Sequence, residues 1–174
     1  MEYWTIVLSS SLISAGISAL VAGAFALKGK QREYENAYYK MVLDRRIAAY
    51  EEIDRLVTFI KTSVIHEDGR TFHLLFSDEE TNTTCLRAVY SVINMSLWLS
   101  DDIFRKTQEL NRIMFRTPHD EEQMLEFGKQ NYKKIAELRT EIEKQRAKDL
   151  MDLHKIRKFL KKKKFKDEYE EIKK

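Results

Sequence analysis

The chain has 174 residues with 31 Lys/Arg, 28 Asp/Glu and a net charge of +3. Its single cysteine, Cys85, excludes a disulfide scaffold and any multi-cysteine metal site, and one proline with five glycines excludes most loop-rich and all-β architectures. The apolar residues are unevenly spread: the 25 residues from Tyr3 to Leu27 carry no charge, whereas charges are frequent from Lys28 onward.

Trp4 to Leu27 is predicted to form a transmembrane helix. Its 24 residues span roughly 36 Å at about 1.5 Å each, and a bilayer core needs about 20 residues. A helix satisfies its own backbone in lipid. Ala24-Phe25-Ala26 resembles a signal-peptide cleavage site, but the Met1-Glu2 start is not basic and the apolar run is too long. Lys28, Lys30 and Arg32 follow the run, then Lys40, Arg45 and Arg46. The positive-inside rule therefore predicts an N-terminus outside and a C-terminal domain in the cytoplasm, anchored in a bacterial inner membrane.

At 100° per residue, Ser11, Ser14, Ala15, Ser18, Ala19, Ala22, Gly23 and Ala26 fall on one side of this helix. Ile6, Ile13, Ile17, Leu20, Val21, Phe25 and Leu27 fall on the other. Small and hydroxyl residues let membrane helices approach and hydrogen-bond, so the small face predicts self-association, with a tetramer as the working number. Ser11, Ser14 and Ser18 line a narrow path in a ring of helices, or are contact residues in a dimer.

Residues 28–65 are predicted to form a juxtamembrane helix with one buried face, through Leu43, Ile47, Tyr50, Ile53, Val57, Ile60 and Val64. Its only weak point toward the preceding segment is Gly29, and Glu67-Asp68-Gly69-Arg70 marks the first turn. Residues 66–166 form the cytoplasmic bundle. Ser77-Asp78-Glu79-Glu80 has a capping-box pattern ahead of a helix from about Asp78 to Leu97. Ser100 is the expected cap of a third helix to about Phe115, with Ile103, Phe104, Leu110, Ile113 and Met114 inward. One long helix is predicted from Asp120 through Leu160, broken at most at Gly128. No strand alternation stands out. The predicted fold is all-α: a three-residue extracytoplasmic N-terminus (1–3), a transmembrane helix (4–27), an antiparallel bundle with a long C-terminal helix, and a charged tail (167–174).

No catalytic constellation is visible, and no cofactor or metal site is expected. His66, His73, His119 and His154 lack zinc-ligand spacing, and Cys85 reads as a core filler. Residues 1–128 carry a net −5 and residues 129–174 a net +8, with eight basic residues from Lys155 to Lys166 interleaved with Phe159 and Phe165. That stretch is a solvated helix end, a contact with anionic lipid, or an electrostatic site for an oligonucleotide-like polyanion. On the last reading the candidate ligand-binding residues are Arg112, Arg116, Lys155, Arg157, Lys158, Lys161 and Lys162.

This layout, with a membrane helix, a basic stop, Tyr38 to Ile53 (YYKMVLDRRIAAYEEI), Phe72 to Ser77 (FHLLFS) and a long C-terminal helix, resembles bacterial membrane effectors of anti-phage defence, including the Hailong type. The resemblance implies a non-enzymatic oligomeric pore or ion channel, opened or held shut by a nucleotide made by a partner enzyme. The residues themselves leave open a different role, a membrane-tethered scaffold that recruits a partner protein or nucleic acid to the inner leaflet.

Overall fold

The computed structural model describes the backbone of residues 2–162 and the side chains of residues 14–161. The side chains of Ser11 and Lys162, and the tail at 167–174, lie outside the described residues. Helices dominate, in the order α1 (Glu2–Lys61), β1 (Ser63–Ile65), β2 (Thr71–His73), α2 (Glu79–Asn94), α3 (Asp101–Met114), α4 (Glu121–Met151) and α5 (Ile156–Lys162). The chain divides into two compact units, Met1–Met41 and Val42–Lys174.

In the first unit α1 passes Gly29 without a break. Its large apolar side chains are open: Leu20, Phe25, Leu27 and Tyr34 are each exposed by more than two thirds. Among the described residues no helix is long and apolar enough to cross a membrane. The described side chains of the uncharged run begin at Ser14. Ser14 to Leu27 reaches about 21 Å, against about 30 Å of hydrocarbon.

The second unit begins at Val42, so the C-terminal part of the predicted juxtamembrane segment belongs to the bundle. Val42, Ala49, Tyr50, Ile53, Leu56, Val57 and Ile60 are its buried stripe, whereas Ile47, predicted inward, is 40 % exposed. The helix stops at Lys61, short of the expected Val64. Val64 and Ile65 instead enter a two-stranded antiparallel hairpin in which Ser63 faces His73, Val64 faces Phe72 and Ile65 faces Thr71. Thr62 to Ile65 is rich in β-branched residues, whose side chains fit a pleated strand better than a helix. Gly69 supplies the turn with a φ of 78°, a left-handed conformation that glycine adopts without steric cost. Strands therefore exist where the sequence pattern suggested none; at three residues each they are too short for visible alternation.

The caps are local. Asp78, rather than Ser77, caps α2, accepting from the Thr81 N–H at 2.7 Å while the Ser77 hydroxyl donates to its other oxygen. Helix α2 ends at Asn94, and a 3₁₀ turn, Ser96–Trp98, follows it where the sequence suggested continuation. Ser100 caps α3 and Asp120 caps α4, the latter accepting from the Gln123 N–H at 2.9 Å. The long C-terminal helix is interrupted: α4 ends at Met151, and a turn through Asp152–Lys155 precedes α5.

The core joins Ile53, Leu56 and Ile60 of α1 to Leu75 and Phe76 after the hairpin, Val89 and Val92 of α2, Ile103 and Leu110 of α3, and Met124, Ile135 and Ile142 of α4. Each such side chain contributes about 1.5–3 kcal/mol of burial. Gly128, the expected weak point of α4, lies inside an unbroken helix. A Cβ there would stand 2.7 Å from Cβ and Cγ of Phe76, so glycine lets the helix backbone seat against that ring.

His73 is fully buried, stacked on Tyr132 with ring centroids 4.8 Å apart. Its Nε2 lies 3.2 Å from the Tyr132 carbonyl oxygen, to which it donates, and its Nδ1 lies 3.4 Å from the Ser63 hydroxyl. Burial pushes the imidazole below its ordinary value of 6.5, an effect the Tyr132 carbonyl opposes. The unfolded chain therefore protonates first as pH falls below 6.5, and stability is lost across that window but not above it. Thermal midpoints measured between the imidazole and carboxylate ranges should fall with acidification in the native chain, and His73→Gln should flatten that slope.

Outside this core the hairpin tip is clamped to α4. Arg70 donates to both carboxylate oxygens of Glu126, at 2.6 and 2.8 Å, and Lys129 donates to Asp68 at 2.6 Å. The Lys129 stem is buried, its side chain only 5 % exposed. Hydrogen bonds from Lys129 and Arg70 hold the Asp68 carboxyl well below the usual carboxylate range.

Candidate functional site

Arg46 sits on the buried stripe of α1, one turn after Val42 and one turn before Tyr50, and is only 3 % exposed. A buried guanidinium must be compensated. Its Nη1 donates to the carbonyl oxygen of Leu153 at 2.8 Å, in the turn after α4, and its Cζ lies 4.0 Å from the Phe159 ring centroid on α5. A cation at a helix C-terminus is favoured by the dipole and satisfies a carbonyl the helix leaves open. A cation over a desolvated aromatic face adds about 2 kcal/mol. Arg46 Nε is buried with no partner.

One turn along, the Tyr50 hydroxyl donates to Asp149 Oδ2 at 2.8 Å. Ser100 donates to the same oxygen, and Gln145 donates to Oδ1 at 2.8 Å. One carboxylate of α4 thus binds α1 and the cap of α3. Burial, then the Asp149 hydrogen bond and charge, push the Tyr50 phenol far above its ordinary range. Beside this network opens a groove of about 410 Å³. Its cations are Arg46, Lys148, Lys155 and Lys158, and its acids are Asp101, Asp102, Asp149 and Asp152, equal in number. Asp152 accepts from Lys155 at 2.7 Å and from Lys158 at 2.9 Å, and those two bonds hold its carboxyl far below the ordinary range.

No family model matches the chain. No curated protein and no solved structure matches it either. The reading of the site therefore rests on its own geometry.

Of the residues expected to bind an anion, Lys155 and Lys158 line the groove, already paired with Asp152. Arg157 and Lys161 are exposed on α5, while Arg112 and Arg116 are exposed at the end of α3; none of the four lines the groove. In the first unit Ser14, Ala15, Ser18, Ala19, Ala22 and Gly23 are all exposed. Among the described residues, no group of three or more His, Cys, Asp or Glu side chains is placed to hold a metal ion. Cys85 is buried in the core, and burial alone pushes its thiol up to about 12. Sequence reasoning passed over Arg46, Tyr50 and Asp149 as a site. The available signal was an arginine on the same helical row as Val42, Ala49 and Tyr50, where an amphipathic helix normally places an apolar residue.

Proposed function

We propose that the chain is a non-enzymatic, single-pass protein of a bacterial inner membrane, and that several copies gather through residues 4–27 into a small gated pore serving anti-phage defence. One observation carries this reading: 25 consecutive uncharged residues followed by Lys28, Lys30 and Arg32. The exposure of Leu20, Phe25 and Leu27 on the isolated helix supports it, since such a surface needs lipid or another protein. The cytoplasmic bundle takes a polyanionic, oligonucleotide-like ligand at Lys155, Lys158 and the neighbouring basic residues of α5. Because Asp152 holds both lysines, the ligand must compete with that carboxylate, and gating requires that it bind one arrangement better than the other. Changing Ser14 and Ser18 to Leu should abolish depolarisation, read with a membrane-potential dye in expressing cells. Unchanged dye uptake contradicts pore lining by that face.

A second reading, a membrane-tethered scaffold for a partner protein or nucleic acid, is favoured by the charge balance of the Arg46 groove, which is what an internally satisfied interaction surface requires. It predicts that a poly-leucine replacement of residues 4–27 preserves function, whereas the pore requires the native face.

A further inference from the structure

Leu20, Leu27, Tyr34 and Met41 recur at every seventh residue of α1 and are 76, 72, 78 and 47 % exposed. In the sequence the same row runs back through Ile13 and Ile6. A straight helix drifts about 20° per heptad from such a row, so from Ile6 to Met41 the face would be lost by about 100°. A strict seven-residue apolar row stays in one seam only when helices supercoil around one another. Lipid alone does not account for it: Tyr34 and Met41 follow Lys28, Lys30, Arg32 and Glu33, where the chain has become polar.

The glycines supply an independent observation. Gly16 and Gly23 lie inside α1, and a Cβ at either would meet nothing within 4 Å. Each weakens the helix by about 1 kcal/mol relative to alanine, and no neighbour in the chain accounts for either. Gly128 shows the contrast, since its missing Cβ makes room for Phe76. Gly16 and Gly23 are themselves seven apart, and each stands three residues after an apolar member of the row, Ile13 and Leu20. They thus occupy the second seam position of a heptad whose first is Leu20 and Leu27, with Ala37 in the same place one heptad beyond Lys30.

We infer that residues 13–41 form a parallel, left-handed coiled-coil seam with a second copy of this chain, in which Leu20 of one copy seats over Gly16 and Gly23 of the other. A copy is the occupant because a shared heptad gives both strands the same pitch and places Tyr34 and Met41 beside their own counterparts. The flanking Ala19, Ala24 and Ala26 let the two backbones come close. The inference rests on the membrane-oligomer reading only in needing more than one copy. It places the contact on the side opposite Ser18, which lies about 160° around the helix from Leu20.

The test is oxidative cross-linking of the full chain in bilayer vesicles. Leu27→Cys and Tyr34→Cys are compared with Ser14→Cys and Ser18→Cys; Cys85 is buried and leaves the background low. A disulfide needs Cβ atoms about 3.5–4.5 Å apart, so covalent dimer should form at Leu27→Cys and Tyr34→Cys at least about fivefold more than at Ser18→Cys. Gly23→Leu, which fills the seat, should reduce dimer formation by Leu27→Cys. Preferential cross-linking at Ser14→Cys or Ser18→Cys, or none at any position, overturns the seam. Cross-linking at Leu27→Cys in cells whose membrane potential is undisturbed keeps the seam and removes the pore. Depolarisation with cross-linking confined to Ser18→Cys does the reverse.

Discussion

Replacing Gly128 by alanine should destabilise the bundle by about 1–3 kcal/mol, the usual cost of forcing an extra methyl into a packed core. The sign is the informative part. In a helix interior alanine is favoured over glycine by about 1 kcal/mol, so a glycine with free space around it would gain stability from the change. Here the added Cβ would meet Phe76 at 2.7 Å, at atoms close to that residue's own backbone. Phe76 is fully buried and packs edge-on against Phe127, with ring centroids 5.9 Å apart, so it has little room to withdraw. Phe76→Leu should not rescue the variant, because Cβ and Cγ remain. Thermal unfolding followed by far-ultraviolet circular dichroism checks both, and a raised midpoint for Gly128→Ala would contradict the close approach.

Asp149→Ala should lower stability by about 2–3 kcal/mol, since the change leaves a buried donor without its acceptor. The Tyr50 hydroxyl is the donor most affected, because Tyr50 is only 2 % exposed and Asp149 is the acceptor it reaches. Arg46 nearby would also lose a compensating charge. Tyr50→Phe alone should cost less. The double variant should lose less than the two single losses added together, because the phenylalanine no longer brings a hydroxyl to satisfy. Denaturant midpoints of the three variants measure the coupling, and strict additivity would mean that the hydrogen bond contributes nothing.

The two sites illustrate which features were legible in the sequence. Period-3.6 apolar patterns and polar caps are local, and they located α2, α3 and the start of α4, with Ser100 capping as expected and Asp120 at the start of α4. The hairpin was missed because each strand has three residues, too few for alternation to compete with the helical row that ends in Ile60. The break after Met151 was missed for another reason. Leu153, Ile156 and Leu160 continue the apolar spacing across it, and the turn is fixed by Arg46, which is 107 positions away in sequence. Such long-range contacts leave no local trace. The same holds for the groove: a run of lysines is visible in the sequence, but the Asp152 carboxylate that binds two of them, and the buried Arg46 beneath Phe159, become visible only once α1, α4 and α5 are assembled. Glu52 and Asp54 show the same limit. They read as a solvated face, yet Glu52 accepts from Ser91 of α2 at 2.9 Å and Asp54 pairs with Arg146 of α4.

The central claim is that several copies of the chain associate through the uncharged run and its extension to Met41. It is tested most directly by the mass of the protein extracted from membranes in mild detergent, corrected for bound detergent. The account predicts a defined species of two or more chains, an integer multiple of 20.7 kDa. A single species at 20.7 kDa under conditions that preserve the folded bundle would contradict both the pore and the heptad seam.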